Sequence, residues 1–293
     1  MRIAYLMQYT DKDYDEVTEN IDQFIDGGDD VYILCNESGI RDDMMLAYCD
    51  EPKLQIIYEQ DGALPADLSM PRGFLVQMKK ALEVEKTEGF TYDYFITLSD
   101  GMLPLVSREE LVSYLNEHKG QDIYYEVGNS KDNEDIQRRF EDYAFFTNTM
   151  DFQKSRLIRG MNKMTSTVLH NFKQREFTDT IYQSYPWFIL THDSAQALAE
   201  NIGYCSDTFK MSLYPEELAL ATMLHKFSKV PHHNENVWLC GKTADYEFTK
   251  PVQALDEETI QANPGRLFGT KIHSTNNFNV YQNTFDNYLN KKD

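Results

Sequence analysis

The 293-residue chain has few cysteines, few prolines, little positive charge and no long apolar run. Its four cysteines, Cys35, Cys49, Cys205 and Cys240, are widely spaced, with no C-x-x-C pair and no Cys/His cluster at zinc-ligand spacing. A disulfide scaffold and a zinc module are therefore excluded, and reduced, mostly buried thiols are expected. No stretch approaches the roughly 18 to 20 apolar residues of a membrane span. The opening run Ile3-Ala4-Tyr5-Leu6-Met7 reads as a strand and not as a leader, so a cytoplasmic location is expected. Neither G-x-G-x-x-G after the first strand, nor G-x-x-x-x-G-K-[ST], nor G-x-S-x-G occurs. Dinucleotide oxidoreductases, P-loop enzymes and hydrolases thus lack their defining loops. Lys and Arg total 28 against 48 Asp and Glu, a net charge of −20. A field of that sign repels phosphate polymers, and no nucleic-acid partner is expected.

Ordinary globular composition remains, with 41% hydrophobic and 26% charged residues. In the first half, β-rich runs alternate with helical periodicity. Strands are expected at 2–8, Val31–Cys35, Leu54–Tyr58, Tyr94–Leu98 and 122–127, with helices at 13–26 and 71–86. Ser107-Arg108-Glu109-Glu110 is a capping box opening a helix to about His118. Such alternation implies an α/β fold with a mostly parallel sheet covered on both faces and ligands beyond its carboxyl edge. Residues 128–135 read as a polar loop and 136–176 as irregular helix. A strand-like run follows at Ile181–Leu190, then a helix from about Asp193 to Asn201 capped by Thr191. A further helix is opened by Pro215, and the tail from Val230 is loop-rich. One domain, 1–293, is expected, its halves meeting near residue 127.

Three segments can carry chemistry. In Tyr214-Pro215-Glu216-Glu217, proline at the first helical position sets two carboxylates in the opening turn, where they either cap the helix or face a cleft as a general base. Leu98-Ser99-Asp100-Gly101-Met102 is a polar turn leaving a buried strand, and Asn263 to Lys271 is a glycine-bearing loop with two cations, Arg266 and Lys271, able to approach a diphosphate. Asp11-Lys12-Asp13-Tyr14-Asp15 contains D-x-D spacing, but at a helix start, where capping accounts for it. His192, His232 and His233 are alternative bases without a recognisable partner arrangement.

In this order, and with Arg2-Ile3-Ala4-Tyr5-Leu6 at the start, the segments resemble the core-2/I-branching glycosyltransferase family (glycosyltransferase family 14), including its bacterial members. That family shows an "iAYl" strand, "Y-x-x-L-S-G-x-D-x-P-L", "W-x-x-L-T", "P-D-E-x-x-x-x-T" and "L-F-A-R-K-F". The counterparts here are Tyr94 to Leu105, Trp187 to Thr191, Pro215 to Thr222 and Leu267 to Ile272, and the resemblance spans about residues 1 to 273. It implies a GT-A-like domain, with residues 1–127 as the nucleotide-sugar half and 128–293 as the acceptor half. The implied reaction is an inverting, metal-independent transfer of a sugar, N-acetylglucosamine foremost, from a UDP-sugar to a hydroxyl of a saccharide acceptor. No cofactor or metal is expected. By match, Glu217 is the base and Lys271 neutralises the diphosphate. Arg266, Asp100, Ser99 and Tyr9 fall on the donor side, and Glu216, Trp187 and Tyr185 on the acceptor side. The chain departs from the pattern in Thr270, where the family has arginine, which leaves Arg266 or Lys250 for the second cation. Ser99-Asp100-Gly101 moves the acid by two positions, and Leu34-Cys35-Asn36 stands where H-x-D is usual. A metal-dependent transferase using Asp100 and a non-catalytic carbohydrate- or nucleotide-sugar-binding relative are the alternatives.

Residues 152–175 hold six basic side chains, Lys154, Arg156, Arg159, Lys163, Lys173 and Arg175, and no acid. They form either a solvated helical face near the acceptor cleft or a face toward an anionic lipid surface carrying a lipid-linked acceptor at the inner membrane.

Overall fold

The computed structural model describes residues 1–9, 13–59, 62–148, 152, 155–170, 175, 177–248, 252–275 and 277–289. The first half alternates as its periodicity predicts. β1 (Ile3–Tyr9) leads to α1 (Tyr14–Asp26), β2 (Asp30–Cys35), α2 (Ser38–Ala47), β3 (Leu54–Ile56), α3 (Ser69–Glu88) and β4 (Tyr94–Ser99). All seven residues of β1 are buried, as a strand covered on both faces requires. α3 buries Phe74, Leu75, Met78 and Ala81 and stops at Gly89 in the left-handed region. β5 (Met102–Pro104) follows, and the capping box of Ser107 and Glu110 then opens α4 (Arg108–Glu117).

Beyond α4 the expected long elements break. The run 122–127 divides into β6 (Asp122–Tyr124) and β7 (Glu126–Asn129), which join different sheets. Gly128 and Asn129, expected in a loop, belong to β7 and pair with the next strand in the chain. α5 (Glu134–Glu141) and α6 (Arg156–His170) make up the irregular helical region. Ile181–Leu190 becomes β8 (Tyr182–Ser184) and β9 (Ile189–Thr191), parted at Pro186, which has no N–H for a ladder. α7 (His192–Glu200) is capped by Thr191 as expected, and α8 (Ile202–Phe209) follows. Pro215–Glu217 is a 3₁₀ turn that breaks at Leu218 before α9 (Ala219–Phe227), not the first turn of one helix. The tail holds β10 (His232–Asn234), β11 (Trp238–Cys240), α10 (Glu257–Ala262), β12 (Phe268–Thr270) and α11 (Phe278–Tyr288), more regular structure than its composition suggests.

The central sheet has seven strands in the order β10-β6-β9-β4-β1-β2-β3 and is flanked by helices. It is parallel except at β9, which runs antiparallel to both β4 and β6. Strands from both halves of the chain contribute to it. A second sheet, β11-β12-β5, brings the tail against the segment that follows β4. No helix among the described residues is long and apolar enough to cross a membrane.

Candidate active site

Parallel register places Gln8 of β1 beside Ser99 of β4, and Tyr9 beside Cys35, at the carboxyl edge of the sheet. The chain then turns at Asp100 and Gly101. Gly101 has φ +68°, and a Cβ there would lie 2.5 Å from His273 Nε2. Across from it, Lys271 adopts φ +63°, and the Ile272 N–H donates to the Gly101 carbonyl at 2.9 Å. The two loops expected to hold the donor thus lie against each other, joined because β12 pairs antiparallel with β5, Thr270 opposite Met102. His273 Nδ1 is 2.6 Å from Glu16 Oε1, whose other oxygen accepts from the Ser274 N–H and hydroxyl at 3.0 and 2.8 Å. Burial lowers the His273 pKa, but the bond to Glu16 and the charges of Asp100 and Glu16 outweigh it and the net shift is upward. Tyr9 is buried with its hydroxyl accepting from Asn20, and burial, then the charge of Asp100, raises its pKa.

Glu216 and Glu217 point inward. The expected role of helix-start amides does not arise, because the 3₁₀ turn satisfies the Glu217 N–H with the Tyr214 carbonyl at 3.1 Å. Glu216 Oε1 instead accepts from the Ala66 N–H at 2.7 Å, while its Oε2 is buried without a partner. Burial, with the adjacent Glu217, pushes the Glu216 carboxyl up to about 8, so it is largely neutral at physiological pH. Glu217 has 0% side-chain exposure. Arg139 Nη2 donates to its Oε2 at 2.5 Å, and the Tyr246 hydroxyl donates to its Oε1 at 3.0 Å. Arg139 keeps 16% exposure and is the outward member of the pair. A cavity of about 440 Å³ begins one residue beyond Ala66, lined by Asp67, Arg72, Phe146, Thr147 and Lys210 among others, with neither Glu216 nor Glu217 on its wall.

Aromatic side chains link the two groups. Trp187 Nε1–H donates to Ser99 Oγ at 2.8 Å, and its ring stands edge-on to Tyr246 with centroids 5.3 Å apart. Tyr185 packs edge-on against both rings and accepts from the Tyr246 N–H at 3.0 Å. Trp187 and Tyr185, expected on the acceptor side, are buried and form the wall between the groups, without a free face for stacking a sugar.

Other expected residues fall elsewhere. Arg266 precedes β12 while Lys271 follows it, and the Arg266 guanidinium is bound by the Asn236 carbonyl and Asp245. It therefore does not join Lys271 as a second cation. Lys250 lies outside the described residues, as do Asp11 and Lys12 of the D-x-D run, whose Asp13 caps α1 by accepting from the Glu16 N–H. His192 follows Thr191, which pairs with Tyr94 at the opposite edge of the sheet from Ser99. His232 and His233 lie in β10, the sheet's outer strand. Arg139, Tyr246 and His273, with Gln183, whose side-chain amide donates to Glu217 Oε2 at 3.5 Å, are the site residues that sequence reasoning misses. None sits in a motif, and each is brought in by packing between distant segments.

Among the described residues, one group has ligand atoms close enough for a metal: His118, His233 and Glu235, all within 4.8 Å of one another. The group lies between the end of α4 and the edge strand β10, apart from Asp100 and Lys271. Tyr114 already binds two of its members, donating its hydroxyl to Glu235 and accepting at its carbonyl from His118. No protein-family model matches the chain, and a comparison with curated proteins finds no match.

Proposed function

We propose that this protein is a GT-A-like, metal-independent inverting glycosyltransferase that moves a sugar, foremost N-acetylglucosamine, from a UDP donor to a saccharide hydroxyl. The observation that carries this reading is the convergence of the Asp100–Gly101 turn and the Lys271 loop at the carboxyl edge of the sheet, tied through Ser99, Trp187 and Tyr246 to the Glu217 carboxylate. Ligands of parallel α/β sheets bind at that edge. Lys271 offers cationic charge to a departing diphosphate, with His273 behind it, whose charged form the bond to Glu16 favours. Ser99 lies on the donor side, whereas Tyr9, buried with its hydroxyl held by Asn20, supports that edge from within.

Glu217 acts as base on the acceptor oxygen, which attacks the anomeric carbon from the face opposite the UDP. The proton passes to the carboxylate as the C–O bond to UDP breaks. Both Glu217 oxygens are engaged at rest, so acceptor entry displaces the outward partner, Arg139, which then pairs with the acceptor or with Glu216. Apo hydrogen bonds of this kind rearrange when substrate binds. The acceptor arrives from the cavity beside Ala66. Glu217→Gln tests the assignment: UDP binding measured by calorimetry is retained, while transfer from UDP-N-acetylglucosamine falls by about 10² to 10⁴. Unchanged transfer removes Glu217 from the reaction.

The complete enclosure of Glu217 favours one other reading, a non-catalytic relative that binds nucleotide sugars and leaves the carboxylate as a structural partner of Arg139. In that case UDP-sugar binding is measurable, and neither the wild type nor the variant transfers.

A further inference from the structure

Helix α6 is turned inside out for a globular surface. Leu157, Met161, Met164 and Val168 are 74, 44, 66 and 54% exposed. Their spacing of four, three and four residues stacks them within about 60° of arc on one face. Arg156, Arg159 and Lys163 follow on the flank of that stripe, all exposed, and the helix has no acidic residue, although the chain as a whole carries −20. A solvated basic face accounts for the cations but not for four large apolar side chains in water.

The inner face is tied to the candidate active site. Ile158 packs against the cluster of Ala66, Phe152 and Tyr214. Ala66 is the residue that binds Glu216, and Tyr214 opens the turn carrying Glu216 and Glu217. The Asn162 side chain, buried, accepts from the Phe145 N–H at 2.6 Å beside the cavity that opens past Ala66. His170 Nδ1 holds the far end of the helix to Asp142 at 2.6 Å.

We propose that α6 docks the protein on an anionic membrane surface, its Leu157–Val168 stripe entering the headgroup boundary and its basic flank pairing with lipid phosphates. An apolar stripe beside Lys and Arg, on a helix of low mean hydropathy, is the pattern of helices that lie in the membrane interface. The charge argues for anionic lipid over a second copy, since two such faces meeting each other repel. The inference adds to the transfer reading the carrier of the acceptor, a saccharide held on a lipid, which would reach the cavity beside Ala66 from the surface α6 covers. It rests on that reading for the acceptor alone, because membrane binding is measured without turnover.

The test is vesicle co-flotation of the full chain, with vesicles of phosphatidylcholine alone and of phosphatidylcholine mixed with phosphatidylglycerol. Binding to the anionic vesicles, at least tenfold stronger than to the neutral ones and weakened by salt, is expected. Combined Arg156→Gln, Arg159→Gln and Lys163→Gln lowers it about a hundredfold, and combined Leu157→Ser, Met164→Ser and Val168→Ser lowers it at least tenfold. All six side chains are exposed, so far-ultraviolet circular dichroism stays as in the wild type. Absent binding to anionic vesicles, or binding indifferent to both variants, overturns the inference. Sedimentation showing a dimer that the serine variant dissociates, with no vesicle binding, assigns the stripe to a second copy and overturns it equally. UDP binding and transfer to a free saccharide are measured alongside. If they persist while vesicle binding fails, the transfer reading stands without the membrane.

Discussion

The indole N–H of Trp187 donates to the Ser99 hydroxyl at 2.8 Å, and through this bond the segment between β8 and β9 holds the carboxyl end of β4. The same ring supports Tyr246, which reaches Glu217. The Ser99 hydroxyl and the Glu217 carboxylate therefore share one rigid wall. Catalytic groups need such support, because a displacement of about 1 Å is costly to rate.

Trp187→Phe removes the bond and leaves Ser99 without its donor. A loss of about 1 to 2 kcal/mol is expected in urea unfolding. Ser99→Ala costs a similar amount, and the double variant falls short of the sum of the two, since both remove the same contact. Additive losses in the cycle would show that the two residues do not act together.

Arg139 and Glu217 form a buried ion pair at 2.5 Å. Arg139→Ala leaves a carboxylate with 0% exposure lacking its charge partner and is expected to cost about 3 to 5 kcal/mol. Adding Glu217→Gln to that variant restores part of the stability, because the uncompensated charge goes with it. A double variant no more stable than Arg139→Ala would place the cost in packing around the guanidinium instead.

Glu216 contributes to the pH dependence of stability, alongside the buried Asp122, whose carboxyl is pushed up to about 6. Its folded pKa of about 8 lies above the ordinary 4.5, chiefly because the carboxyl is buried. The folded state therefore holds the proton more tightly than the unfolded chain. Stability contributed by this group is full below about 4.5, declines as pH rises toward 8, and levels off above it. Glu216→Gln keeps an oxygen for the Ala66 N–H but does not titrate. The decline in urea midpoint between pH 5 and 8 should be shallower in that variant, and an identical slope would exclude Glu216 as its source.

Gly101→Ala strains a backbone at φ +68° and drives a methyl to 2.5 Å from the His273 ring. About 1 kcal/mol or more of backbone cost adds to displacement of the ring. UDP affinity, read by calorimetry, should fall at least tenfold, as it should in Lys271→Ala, while Glu217→Gln leaves it in place. Unaltered UDP affinity in both loop variants would move the nucleotide away from this edge.

The first half of the fold is legible in the sequence because its signals are local. The alternation of apolar runs with helical spacing gives β1 to β4 and α3, and the Ser107–Glu110 capping box and the Thr191 cap mark their helices correctly. The position of Ser99, Asp100 and Gly101 after a buried strand is legible for the same reason. α2 and α11, no shorter than α4, escape because neither opens on a capping box or a proline that would mark its start.

Sequence by itself determined which residue types were available at the two ends of the site: a carboxylate pair after a proline, a glycine turn after a strand, and a lysine late in the chain. Tertiary structure decided their partners. Only the fold brings Arg139 and Tyr246 to Glu217, gives the Ala66 N–H to Glu216, sets His273 behind Gly101, and places Arg266 at the wrong end of β12 to help Lys271. It also turns the apolar side of α6 outward. Hydrophobic patterning specifies an element's period and its apolar face, whereas which distant face covers it, and whether a protein or a membrane does so, depends on contacts that no local stretch of chain encodes.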